Sequence, residues 1–167
     1  MQTLIAFLRA VNVGGTGKLP MAELRAMAEE IGFASPRTLI ASGNLVFETS
    51  LTLEAAKSAL EARLETYAGK PVGVIMRTPD AVARLISDAP FQDVPGNKLL
   101  VLLLDREISE ADQTAIRHQT NEEILAGEKA LYIHYPDGQG RSKLTLDAAR
   151  EGTARNMNTL KKVHDMC

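Results

Sequence analysis

Two stretches of this chain, Leu4–Leu8 and Leu99–Leu104, are apolar at every position over the length of a strand. In an antiparallel sheet with one wet face, strands alternate apolar and polar residues, because successive side chains point to opposite faces. Unbroken apolar runs therefore predict sheets covered on both sides. Helices cover one side, and the most direct cover for the other is the second half of the same chain. At 167 residues the two halves together support a single core.

The segments between these runs complete each half. Strand Thr3–Arg9 is followed by Ala10–Leu19, where Gly14, Gly15 and Gly17 disfavour regular structure. Pro20 suits the first turn of a helix on which Met21, Leu24, Ala28 and Ile31 recur at helical spacing, and Gly32 ends it. Thr38–Ala41 and Leu45–Glu48 predict a hairpin turning at Ser42-Gly43-Asn44. Thr52 caps a helix with Leu53, Ala56, Leu60, Leu64 and Tyr67 inward and Gly69 at its end, before a strand at Val72–Met76. This order, βαββαβ, is that of a ferredoxin-like unit. Thr78-Pro79-Asp80 opens a linker helix with Val82, Leu85 and Ile86 inward.

The second half follows the same plan. Lys98–Leu104 is a strand, and Ser109 with Asp112 forms a capping box for a helix to about His118. Glu123–Ala126 and Lys129–His134 make a hairpin about Gly127-Glu128, a short helix lies near Leu144–Arg150, and a last helix from about Asn156 buries Met157, Leu160, Val163 and Met166. TLIASGNLVF parallels EEILAGEKALYI, and LIAFLRAVNV parallels LLVLLLDREI, which predicts a duplication with a period of about 90 residues. The expected class is α+β: duplicated ferredoxin-like (split βαββ) halves with antiparallel sheets sharing one core. They divide as residues 1–77, a linker helix at 78–97, and residues 98–167.

Composition narrows the function. Nineteen basic and twenty-one acidic residues leave a net charge of −2, too small a field to gather nucleic acid or anionic lipid. No apolar run approaches the roughly 18 residues of a membrane span, and the N-terminus lacks the basic head of a signal peptide. One cysteine, Cys167, excludes an internal disulfide or a cysteine-rich zinc site. A cytoplasmic address of bacterial type is expected. His118, His134 and His164 lack ligand spacing, so no metal and no cofactor is expected. No Gly-x-Ser-x-Gly elbow exists, and the neighbours Glu29-Glu30 and Glu122-Glu123 point apart on any regular element.

Polar groups converge at one predicted edge. The βαββ order brings the loop after strand one, the start of helix one and the hairpin turn together, gathering Arg9, Asn12, Gly14, Gly15 and Lys18 with Ser42 and Asn44. Glycine amides, a helix N-terminus and two cations form an anion cradle. The bland alternative is a loop whose glycines only turn the chain. The stretch VNVGGTGKL departs twice from a nucleotide-hydrolase phosphate loop: Asn12 replaces its first glycine, and Leu19 replaces the magnesium-binding Ser or Thr. A second cluster holds Ser142, Lys143, Arg155 and Asn156, within thirty final residues carrying six basic and three acidic side chains. Arg141, Lys143 and Arg155 are candidates to hold an anion, against the plainer roles of helix capping and a solvated face.

The segments LRAVNVGGTGKLPMAELRAMAEEIGF, TLIASGNLVF and SKLT…TARNMNTLKKV together resemble domain-of-unknown-function family 1697, small and mostly bacterial proteins. The resemblance runs from Leu4 to Val163 and implies two α+β halves of ferredoxin-like character. Its pattern falls on Arg9, Asn12, Val13, Gly14, Gly15, Met21, Leu24, Ser42, Gly43, Asn44, Ser142, Lys143, Arg155, Asn156, Asn158 and Thr159. Met157 stands where the family usually has tryptophan. The resemblance marks residues and implies no reaction.

Three functions compete. A small anionic or phosphorylated ligand bound at the glycine-rich loop and hairpin edge ranks first, with or without catalysis. A non-catalytic protein–protein module using Tyr132, Tyr135 or the last helix is the alternative. Binding of RNA or single-stranded DNA ranks last, since Phe7 and Phe47 are the only aromatic residues on the strands such modules use for stacking.

Overall fold

Strand β1 (Gln2–Leu8) lies inside its sheet, between β3 (Asn44–Thr49) and β4 (Val74–Arg77), with β2 (Ala34–Leu39) outside β3, in the order β2-β3-β1-β4. Every pairing is antiparallel. The computed structural model describes residues 1–9, 18–39 and 43–167. These form two compact units, Met1–Ala81 with Val163–Cys167, and Val82–Lys162. The fold is α+β with antiparallel sheets.

In the first unit Leu4, Ala6 and Leu8 share a core with Leu24, Met27 and Ala28 of α1 (Met21–Glu30) and Ala56, Leu60 and Leu64 of α2 (Leu53–Ala68). The opposite face of β1, Ile5 and Phe7, is fully buried too, as the unbroken apolar run requires. The predicted caps hold. Thr52 accepts from the Ala55 amide at 3.2 Å, and Gly69 ends α2 at φ +73°, a left-handed conformation that favours glycine. Tyr67, expected inward, is 42% exposed, because the last turn of α2 runs past the buried stripe.

In the second unit α3 (Pro79–Ser87), which begins in the first, buries Val82 and Leu85, while Ile86 is only half-buried. Strand β5 (Leu99–Leu103) lies between β8 (Ala130–His134) and β10 (Thr153–Asn156), with β7 (Glu123–Gly127) outside β8, in the order β10-β5-β8-β7. Strand β10 was not legible, because Thr-Ala-Arg-Asn has no apolar alternation to mark it. The capping box at Ser109 forms, but its helix α4 (Glu110–Thr114) stops well before His118. The chain then extends as β6 (Ile116–Arg117), paired with β9 (Thr145–Leu146), and His118 turns at φ +60°. That pairing also displaces the helix expected near Leu144, leaving a 3-10 turn at Asp147–Arg150. Helix α5 (Met157–Asp165) buries Met157, Leu160 and Val163, whereas Met166 is half-buried.

The registers of the two sheets correspond. Arg77 on β4 lies opposite Ile5 on β1, and Arg155 on β10 lies opposite Val101 on β5. Both arginines are buried.

Candidate functional site

Two backbone hydrogen bonds at the end of β1 define the edge of the first unit. The Leu8 amide donates to the Gly43 carbonyl and the Arg9 amide to the Gly73 carbonyl, each at 2.9 Å. Arg9 therefore emerges between the hairpin turn and the approach to β4. Its half-buried side chain lies along Gly73, where an added Cβ would sit 3.0 Å from the arginine Cδ and 3.3 Å from Nη1. Lys18 is exposed on the approach to α1, whose N-cap position, Pro20, supplies no side-chain cap. Asn44 is fully buried, and its amide nitrogen donates to the Leu39 carbonyl at 2.8 Å across the hairpin. Asn12, Gly14, Gly15 and Ser42 lie outside the described residues.

The polar residues near the C-terminus are not one cluster. Arg155 sits on edge strand β10, where its Nη1 donates to Thr153 Oγ1 at 2.6 Å and the Ala154 carbonyl at 2.9 Å. Burial pulls its pKa down to about 10, since a desolvated cation is disfavoured. Asn156 accepts from the Thr159 amide at 2.8 Å and caps α5. Lys143 is exposed. Ser142 belongs to the opposite edge, where its hydroxyl donates to Glu122 Oε2, and Glu122 immediately precedes β7.

Beside that contact is a cavity of about 270 Å³, lined by Glu122, Tyr135, Asp137, Gly138, Arg141 and Ser142 among others. Glu122 is 5% exposed. Besides Ser142, its carboxylate accepts from the Thr120 amide at 2.7 Å and the Thr120 hydroxyl at 3.2 Å. With the Ser142 bond the largest influence, these donors hold its pKa down to about 2. Tyr135 is 7% exposed, and burial followed by the Glu122 charge pushes its phenol up. Its hydroxyl has no hydrogen-bond partner among the described residues. Asp137 accepts from Asn121 Nδ2 at 2.9 Å. Arg141 closes a 3-10 turn that Gly138 enters at φ +85°, and its exposed guanidinium has no partner among the described residues.

Sequence reasoning passed over Glu122 as one of two adjacent glutamates. No local pattern separates it from Glu123, because what buries it is the Ser142 loop returning to the same edge. Tyr132 and Tyr135, offered as a contact surface, are buried instead. Tyr132 donates to the Leu85 carbonyl at 2.7 Å, and burial, with smaller influences from Asp88 and Glu128, raises its pKa to about 12. Phe7 and Phe47 are buried, and Phe47 stacks on Phe33 with ring centroids 4.0 Å apart. Met157 is also buried. Among the described residues no three His, Cys, Asp or Glu gather to hold a metal, and no helix is long and apolar enough to cross a membrane.

The family model described as Protein of unknown function (DUF1697) matches residues 1–132. The chain belongs to that family. The match contains the Arg9 edge and Glu122 and ends before the Ser142 loop, so the likeness of the C-terminal motif lies beyond it. The conserved bacterial protein SP0830 from Streptococcus pneumoniae has a solved structure similar to this chain, with a TM-score of 0.78 and 18% identity. The similarity covers 98% of this chain and 97% of that one. At that identity it speaks to the fold alone. No curated protein matches the chain.

Proposed function

We propose that this DUF1697 protein binds a small anionic ligand, phosphorylated or carboxylated, at the edge where β1 ends. The observation that carries the reading is the pair of bonds from Leu8 to Gly43 and from Arg9 to Gly73, which set a cation between two glycine-bearing segments. Glycine permits close backbone approach, and a half-buried guanidinium holds an oxyanion more firmly than a solvated one. Lys18 adds the second charge. Asn12, Gly14, Gly15 and Ser42 complete the cradle in this reading, and Asn44 fixes the hairpin beneath it. Arg155, Asn156, Ser142 and Lys143, all in the second unit, are further candidates to hold an anionic ligand.

The same reading takes the chain as a duplicated ferredoxin-like protein. Two features support it: the corresponding strand orders, and the buried arginine at the same register of the fourth strand in each sheet. A thermal-shift screen against phosphate, nucleotides and sugar phosphates tests the ligand. Binding to the folded state alone raises Tm, and the rise is expected to vanish in the Arg9→Ala, Lys18→Ala double variant. Stabilisation that persists unchanged in that variant refutes the site.

A further inference from the structure

The cavity beside Glu122 has an electrostatic direction. Its buried side carries an ionised carboxylate, Glu122, and its open side carries the guanidinium of Arg141. Ser142 and Thr120 donate three hydrogen bonds to the Glu122 carboxylate, which fixes its orientation at the cavity wall. Asp137 has accepted a single bond, from Asn121. The Tyr135 hydroxyl, in a residue only 7% exposed, has no partner among the described residues and is available to a molecule in the cavity. These groups offer acceptors for a cation within and donors for an anion at the mouth. The volume, about 270 Å³, falls below the roughly 300–1,000 Å³ of pockets for drug-sized ligands and suits a molecule of a few heavy atoms.

We propose that this cavity is a second binding site, taking a small zwitterion of the α-amino-acid class with its ammonium toward Glu122 and Tyr135 and its carboxylate on Arg141. A ligand with one charge leaves one end of the site unanswered, which is how buried polar groups discriminate. The site lies wholly in the second unit and does not depend on the anion edge of the first.

Isothermal titration of the full chain with glycine, L-serine and L-lysine, and with ethylamine and acetate as single-charge controls, tests it. At least one amino acid is expected to bind measurably more tightly than either control. Arg141→Ala removes an exposed side chain that has no partner among the described residues, and Tyr135→Phe keeps the ring. Each is expected to weaken binding about tenfold or more, the loss of one hydrogen bond to a charged group. Circular dichroism confirms that both variants fold. The Arg9→Ala, Lys18→Ala variant is expected to bind the amino acid as the unaltered chain does. Absence of binding by every amino acid, equal binding by a single-charge control, or affinity unchanged in both cavity variants overturns the proposal.

Discussion

Ser142 and Thr120 keep Glu122 ionised by supplying three donors to one buried carboxylate. Its pKa in the folded protein, about 2, lies below that of an unfolded glutamate, roughly 4.3. A depressed carboxylate contributes stability that is fully present above the unfolded value and lost as pH falls through the folded one. Ser142→Ala should therefore lower Tm at neutral pH, with the difference shrinking as pH falls from about 5 toward 2. Melting curves across that range check it, and a difference independent of pH contradicts it. Asp112 behaves in the same sense, because Arg106 grips its carboxylate at 2.7 and 2.9 Å and holds it well below the usual range. The comparison of the variant with the unaltered chain cancels that shared background. At this scale the sequence was a partial guide. The capping box at Ser109 depends on spacing alone and was readable, whereas the burial of Glu122 depends on a loop twenty residues away.

The elements that announced themselves did so through period and punctuation. Helix α2 is bracketed by Thr52 and Gly69, and β1 and β5 by their unbroken apolar runs. Those that stayed hidden, β6, β9 and β10, are two to four residues long and are defined by their partners rather than by pattern. The β7–β8 hairpin shows how tightly such partners can fit. A Cβ on Gly127 would lie 2.5 Å from Tyr132 Cε2, and that ring is buried and anchored through its hydroxyl to Leu85. Gly127→Ala should destabilise the protein by about 1–3 kcal/mol, the usual cost of forcing extra volume into a packed core. Urea denaturation measures this, and an unchanged midpoint refutes the packing argument. Exposed pairs such as Arg84–Glu128, at 3.0 Å, should matter much less.

For the whole molecule, the α+β class and the first unit's βαββαβ order followed from reading runs, caps and turns. The strand closing the second sheet was missed because its buried residues are Thr153 and Arg155, neither of them apolar. If the halves are duplicates, the buried arginines at matching registers answer the same structural need. Arg77→Met and Arg155→Met should then shift Tm in the same direction and by similar amounts, and opposite shifts contradict the correspondence. A net charge of −2 provides no long-range attraction for anions, so any affinity for them must be local, in arginine, lysine and backbone amides. Amide NMR of the labelled chain titrated with inorganic phosphate asks this most directly. The largest shifts are expected at Arg9, Gly43 and Gly73. Perturbations confined to the Arg141 loop, or none at all, would contradict the assignment of the β1 edge.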